Sequence, residues 1–192
     1  MIQHKGFVID IFRCIGCDTC SIACKMENSV PVGQNRLKIL NPQQSTVFDK
    51  PVGKFPDLTM EWWPVMCQHC ENSPCVDDCA TYAIHRRADG MVEIDAQMCV
   101  GCQNCGEACP YDAISFDEEV GTADKCNMCD HRVEEGLQPM CVEVCPTRAI
   151  PFGDLADEEG KLQQLISSKP TDILNEDANT RPAIHFVFRD QA

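Results

Sequence analysis

The sequence predicts an α+β fold of short helices, short hairpins and long cysteine-bearing loops, built from a duplicated unit. Three observations carry that prediction. Sixteen cysteines fall in four tight runs, the runs alternate between two local patterns, and three of them finish on the same Ala-Ile pair. Aromatics are only 6% of the 192 residues. Metal is therefore expected to replace part of an ordinary hydrophobic core, as it does in many small domains.

Run one is Cys14, Cys17, Cys20 and Cys24. Run two is Cys67, Cys70, Cys75 and Cys79, and run three is Cys99, Cys102, Cys105 and Cys109. Run four is Cys126, Cys129, Cys141 and Cys145. Runs one and three read C-x2-C-x2-C-x3-C, and Pro110 follows the last cysteine of run three. Bacterial ferredoxins hold cubane [4Fe–4S] clusters with that spacing. Four thiolates per cluster use all sixteen cysteines, so the expectation is four [4Fe–4S] clusters in ferredoxin-like two-cluster units. Because ligand binding and folding then share one free energy, the apo-chain should be largely unfolded.

Disulfides and zinc compete for so many cysteines. No N-terminal apolar run with a cleavage site marks the chain for secretion, and cysteines two or three residues apart make poor long-range staples. Structural zinc favours two well-separated pairs, whereas runs one and three place a third cysteine shortly after the second. Iron–sulfur is the preferred reading.

Taken in order, the elements repeat. Ile9-Asp10-Ile11-Phe12-Arg13-Cys14-Ile15-Gly16-Cys17 matches Ile94-Asp95-Ala96-Gln97-Met98-Cys99-Val100-Gly101-Cys102, a pattern designated kind A. Pro74-Cys75-Val76-Asp77-Asp78-Cys79 matches Met140-Cys141-Val142-Glu143-Val144-Cys145, designated kind B. The order A, B, A, B points to a duplication. The last turn of each run should be a short helix, stopped where a proline follows. The Ala-Ile pairs at Ala83-Ile84, Ala113-Ile114 and Ala149-Ile150 should each begin a strand covering a cluster.

Residues 25–66, with Pro31, Pro42, Pro51, Pro56 and Pro64, read as an insertion that is mostly loop. Trp62-Trp63 within it is read as simple packing. Asp89-Gly90 is a hairpin turn flanked by Ile84 and by Met91, Val92 and Ile94. Residues 157–168 read as a helix with Asp157 as its cap and Leu162, Leu165 and Ile166 on one face. The tail Ala183–Phe188 reads as an edge strand.

In two-cluster ferredoxins the fourth cysteine of one run ligates the other run's cluster. The third and fourth cysteines stand at i and i+4, about one turn or ~6 Å apart along a helix axis, which puts cluster centres on the order of 10 Å apart. That separation suits electron hopping. Spacing alone leaves the pairing of runs open: runs two and three are separated by a short hairpin, but one with two and three with four also fits. Longer gaps after Cys129 and Cys70 cost little closure entropy. They alter solvent access, so the four potentials need not be equal.

The formal net charge is −14, and each cluster with its thiolates adds roughly two more negative charges. That excludes nucleic acid and anionic membrane surfaces as partners. The apolar stretches are too short to span a bilayer, so no direct membrane insertion is expected. No Gly-rich phosphate loop or nucleophile with a general base stands out, and no pterin, flavin or haem site is visible. The chain is expected to be a non-catalytic electron-transfer subunit.

The whole set resembles the iron–sulfur subunit of the dimethyl sulfoxide reductase family, nearest to polysulfide and thiosulfate reductases. The carrying residues are Cys14-Ile15-Gly16-Cys17, Ala23-Cys24-Lys25-Met26-Glu27-Asn28, Cys67-Gln68-His69-Cys70-Glu71-Asn72-Ser73-Pro74-Cys75 and Lys125-Cys126-Asn127-Met128-Cys129-Asp130-His131-Arg132. Phe152-Gly153-Asp154-Leu155 and Thr180-Arg181-Pro182 also match.

The resemblance implies four ligand sets: Cys14, Cys17, Cys20 and Cys145; Cys126, Cys129, Cys141 and Cys24; Cys67, Cys70, Cys75 and Cys109; and Cys99, Cys102, Cys105 and Cys79. It implies a first ferredoxin-like unit of residues 1–66 and 117–192 and a second of residues 67–116. Ala80 departs from the family's usual proline, which loosens a turn but keeps the ligand. Run four has cysteine at every position, where some relatives have tryptophan and a three-iron cluster, so four cubanes are implied.

The implied partners are a molybdenum or tungsten bis-pterin catalytic subunit and a membrane quinone-binding anchor, in anaerobic respiration. Arg86-Arg87 is internal and is no twin-arginine signal. The expected location is the periplasmic side, by co-export with a signal-bearing partner, or the cytoplasm. The competing function is a polyferredoxin module of a cytoplasmic hydrogenase, formate or aldehyde oxidoreductase.

Among the remaining polar residues, His69 and His131 are read as hydrogen-bonding or packing groups, and His4, His85 and His185 as surface or strand residues. Asp117-Glu118-Glu119 and Asp157-Glu158-Glu159 are read as solvated acidic faces. Lys25, Lys125, Arg132 and Arg148 lie near cluster cysteines, where positive charge would raise a reduction potential.

Overall fold

The strand Lys5–Asp10 (β1) is apolar on both faces, with Phe7, Val8 and Ile9 fully buried. Such a strand belongs inside a sheet rather than at its rim. The computed structural model, which describes residues 4–41 and 51–188, puts it there. Then come α1 (Thr19–Glu27), β2 (Leu37–Leu40), β3 (Val52–Lys54), β4 (Asp57–Thr59), β5 (Trp63–Met66), α2 (Pro74–Asp77), β6 (Ile84–Arg86) and β7 (Val92–Ile94). Next are α3 (Asn104–Ala108), β8 (Ile114–Asp117), β9 (Thr122–Lys125), α4 (Asp130–Glu134), α5 (Met140–Glu143) and β10 (Phe152–Asp154). The described residues finish with α6 (Lys161–Ser168), β11 (Thr171–Asp172), a 3-10 turn at Glu176–Ala178 and β12 (Ile184–Val187). Helix and strand are mixed as an α+β fold requires.

The one larger sheet among the described residues has the order β10-β1-β12-β11. β1 runs parallel to β12, with Phe7 opposite Ile184 and Ile9 opposite Phe186, and antiparallel to β10. This corrects the expectation of an edge position for the tail: β12 is flanked by β1 and β11. Ile184 and Phe186 face one side, Val187 faces the other, and all three are buried, which suits an interior strand. The amphipathic α6 closes the outer face, with Leu162 against Val8 and Val187.

Three further expectations need correction. The 25–66 insertion is loop only in part: among its described residues β2 and β5 form one antiparallel ribbon and β3 and β4 another. Pro64 is tolerated within β5 because that ribbon has only two strands, so one side of each is free of ladder bonds. Pro42 lies outside the described residues. The last helix begins at Lys161, with Gly160 at its N-cap, so Asp157 is no helix cap. Asp157 instead organises the preceding turn: its Oδ1 accepts the Glu159 N–H and its carbonyl accepts the Gly160 N–H. Ile84 and Ile114 do begin β6 and β8, but Ile150 does not begin a strand. Pro151, which lacks an N–H, follows it, and β10 starts only at Phe152.

The Asp89-Gly90 turn joins β6 to β7 as expected, with Gly90 at φ 86°. A second hairpin, β8 to β9, follows run three and was not read from the sequence. Trp62 and Trp63 pack as expected: Trp62 lies against the main core, and Trp63 meets Phe188 edge-on with ring centroids 5.2 Å apart.

Candidate metal centres

Each cysteine run is a loop of special backbone followed by a short helix. In kind A the residue before the helix is left-handed, Asp18 at φ 60° and Gln103 at φ 64°. The cysteines that follow ride α1 (Cys20, Cys24) and α3 (Cys105, then Cys109 at its end). Three residues after the last cysteine of runs two, three and four stands another left-handed residue: Tyr82, Asp112 and Arg148. Bulky side chains take that conformation rarely, at about 1–3 kcal/mol each, so the surrounding loop imposes it. Gly16 and Gly101 are also left-handed. At Gly16 a Cβ would fall 2.6 Å from the Trp62 indole, and at Gly101 2.6 Å from the Gly121 carbonyl, with Phe116 next nearest. An aromatic ring thus closes over the Cys-x-Gly-Cys loop in both runs.

The thiols collect into four groups. Cys14 and Cys20 act electrostatically on each other and on Cys17 and Cys145. Cys24 neighbours Cys129 and Cys126, and Cys141 is close to all three. Cys75 and Cys70 neighbour Cys67 and Cys109. Cys105 neighbours Cys99, Cys102 and Cys79. The fourth cysteine of each run therefore stands with another run's first three, and run one is joined to run four.

The groups also follow one another in space. Cys141 reaches Cys20 of the first group, and Cys126 reaches Cys67 of the third. The third and fourth groups share α2 and α3, which pack together. Cys17 and Cys102, in the first and last groups, are the exposed thiols, whereas Cys24, Cys126, Cys129 and Cys141 are all buried. Phe12 and Ile15 are exposed beside Cys17, and Met98 and Val100 beside Cys102.

The donor chemistry fits iron–sulfur clusters. Backbone N–H groups point at the sulfurs: Ile84 at Cys79 (3.5 Å), Met128 at Cys126 (3.4 Å) and Ala149 at Cys145 (3.3 Å). Thr81 and Thr147 sit at matching places, each hydroxyl 3.7 Å from its cysteine. A cavity is bounded by Cys24, Cys126, Cys129 and Cys141, with Phe7, Leu37 and Met66 as apolar walls. Among the described residues no three His, Cys, Asp or Glu side chains are arranged to hold a single metal ion. A zinc tetrathiolate needs all four sulfurs about 2.3 Å from one ion. In a cubane each cysteine has its own iron, so the sulfurs stand further apart.

Without metal these thiols hold their protons. Burial pushes the Cys20 and Cys75 thiols up to about 12 and the Cys24 and Cys70 thiols up to about 11. Burial raises Cys126 and Cys141 as well, helped by neighbouring thiols. Protons held so firmly leave only when metal replaces them. Cys79 differs: burial raises it, but hydrogen bonds from the Ile84 N–H and from Thr81 bring it below the ordinary thiol value.

Sequence reasoning missed Arg36. Its guanidinium forks onto Asp124 at 2.6 and 2.8 Å and reaches Asn28 Oδ1 at 2.9 Å and Asn127 Oδ1 at 3.2 Å. Asn28 Nδ2 in turn lies 3.7 Å from both Cys24 and Cys129 sulfurs. An isolated arginine in an insertion carries no spacing signal, so only the fold reveals it. The histidines behave as hydrogen-bonding groups: buried His69 accepts the Val92 N–H at Nδ1 (3.0 Å), and His131 Nε2 lies 2.9 Å from Glu27 Oε1.

The surroundings are therefore those of electron-carrier sites, and comparison with known proteins agrees. The model of the 4Fe-4S dicluster domain matches residues 58–155. A polysulfide reductase polypeptide of Wolinella succinogenes is 39% identical over 97% of this sequence and 95% of its own length. A tetrathionate reductase polypeptide of Salmonella typhimurium is 37% identical over 99% of this sequence and 75% of its own. Protein NrfC of Escherichia coli K12 is 40% identical over 95% of this sequence and 79% of its own. The chain belongs to the iron–sulfur electron-transfer subunits of the dimethyl sulfoxide reductase family.

Proposed function

We propose that the chain is a non-catalytic four-cluster wire between a molybdenum or tungsten bis-pterin catalytic subunit and a membrane quinone-binding anchor. Each of the four thiol groups would hold one [4Fe–4S] cluster, with the ligand sets Cys14/Cys17/Cys20/Cys145, Cys24/Cys126/Cys129/Cys141, Cys67/Cys70/Cys75/Cys109 and Cys79/Cys99/Cys102/Cys105. When bound, such clusters supply one-electron carriers. The observation that carries the reading is the serial arrangement of the groups, with buried thiols in the middle and an exposed cysteine at each end.

The protein's own residues fix that series. α1 ties the first group to the second through Cys20 and Cys24, while α2 and α3 tie the third to the fourth. The walls Phe7, Leu37 and Met66 exclude water from the second group. The apolar surfaces around Cys17 and Cys102 are the two ports. Residues 1–66 with 117–192 form one duplicated two-cluster unit, and residues 67–116 the other.

Among the described residues no helix is long and apolar enough to cross a membrane, and in this reading the anchor is a separate subunit. The relatives from Wolinella succinogenes and Salmonella typhimurium are named as components of reductases, which supports assembly with larger partners. Location follows the catalytic partner: periplasmic if that partner carries an export signal, cytoplasmic otherwise.

Purification of the native complex tests the reading. Molybdenum or tungsten is expected in the co-purifying large subunit, and a quinol should reduce the clusters only when the anchor is present. A complex with neither metal and no quinol dependence would overturn it in favour of a polyferredoxin module of a hydrogenase.

A further inference from the structure

Where the second thiol group meets the third, through Cys126 and Cys67, a lysine is buried without a carboxylate. Lys125 ends β9 with only 3% of its surface exposed. Its ammonium donates to the Val92 and Cys126 carbonyls, and among the described residues it forms no ion pair. Val92 is held from the other side as well, its N–H donating to His69 Nδ1. These contacts clamp residues of runs two and four about the end of one hairpin.

Three other cations near cluster cysteines differ. Arg36 is matched by Asp124, Arg132 lies against Glu27, and Arg148 is exposed and turned to the Glu143 carbonyl. Burying an ammonium against carbonyls alone is unfavourable, because nothing replaces its lost hydration with opposite charge. The negative charge within reach is thiolate: the ammonium acts electrostatically on Cys75 of the third group and Cys126 of the second. Each loaded site carries roughly two negative charges, and reducing one adds another.

We infer that Lys125 is a positioning residue, the fixed counter-charge shared by the two inner clusters, which holds their potentials up so that electrons cross between the two halves of the wire. This rests on the four-cluster reading above. A neutral residue would leave the inner two sites harder to reduce. The outer two should respond least, since the thiols on which the ammonium acts belong to the inner groups.

The test is potentiometric EPR of the anaerobically prepared complex carrying K125M or K125R, with signals assigned from single cysteine variants in each group. In K125M the inner two reduction equilibria should each fall about tenfold, 59 mV for one electron, while the outer two hold. K125R should stay near wild type. Four unchanged potentials in K125M, or an equal shift of all four, would overturn the inference.

Should K125M fail to retain its inner clusters, loading decides instead. Full iron in K125R supports the need for charge, and loss in both variants overturns it by making the lysine's shape the requirement. If the wild type itself lacks four centres, it is the four-cluster function that fails.

Discussion

Replacing Arg36 with leucine probes how the protein holds its most buried thiol group. The substitution removes the fork onto Asp124 and the link to Asn28, whose amide faces the sulfurs of Cys24 and Cys129. Breaking a buried pair by deleting one partner costs about 3–5 kcal/mol. The side chains here are 14% and 19% exposed, so water screens part of the loss and about 2–3 kcal/mol is expected. For a protein this long each kcal/mol moves the melting midpoint by about 2–4 °C, giving a fall of about 4–12 °C. Cluster loss makes melting irreversible, so variants must be compared at one scan rate. The double variant R36L/D124L should recover part of the loss, because no carboxylate is then stranded. An R36L midpoint within about 2 °C of wild type, with the EPR spectrum unchanged, would refute the role given to this network.

Cross-ligation predicts that C109A and C75A abolish the same EPR signal, whereas C109A and C99A abolish different ones; the reverse pattern would place Cys109 with its own run. G16A forces a Cβ into the Trp62 indole at a left-handed position, and should lower stability by about 2–4 kcal/mol, read as a lower melting midpoint and earlier bleaching in air. F186A empties the centre of the mixed sheet, where Phe186 is fully buried, and should cost about 3–5 kcal/mol by the same melting assay. Stripping iron with a chelator should abolish most of the far-ultraviolet circular dichroism, since the thiol groups and the core share residues such as Cys20, Cys126 and Cys141; a native-like spectrum without iron would contradict that coupling.

The cysteine loops were legible in the sequence because their function demands fixed spacing. Kind A and kind B repeats became matching left-handed residues at Asp18 and Gln103 and at Tyr82 and Arg148, and Thr81 and Thr147 became matching partners of Cys79 and Cys145. The short helices and the Asp89-Gly90 hairpin also followed from local rules. What stayed hidden depended on distant partners. β12 looked like a tail strand, and only its parallel pairing with β1 makes it interior. The pairing of β2 with β5 joins residues on either side of a stretch dominated by prolines and polar side chains. The spatial order of the four groups rests on electrostatic neighbours such as Cys126 and Cys67, which no spacing within a run encodes.

Iron and acid-labile sulfide analysis of anaerobically purified protein, combined with Mössbauer spectroscopy, tests the central claim most directly. Four cubanes require about sixteen irons and sixteen sulfides per polypeptide, all in four-iron environments. About twelve or fewer irons, or zinc bound in their place, would contradict the four-cluster wire.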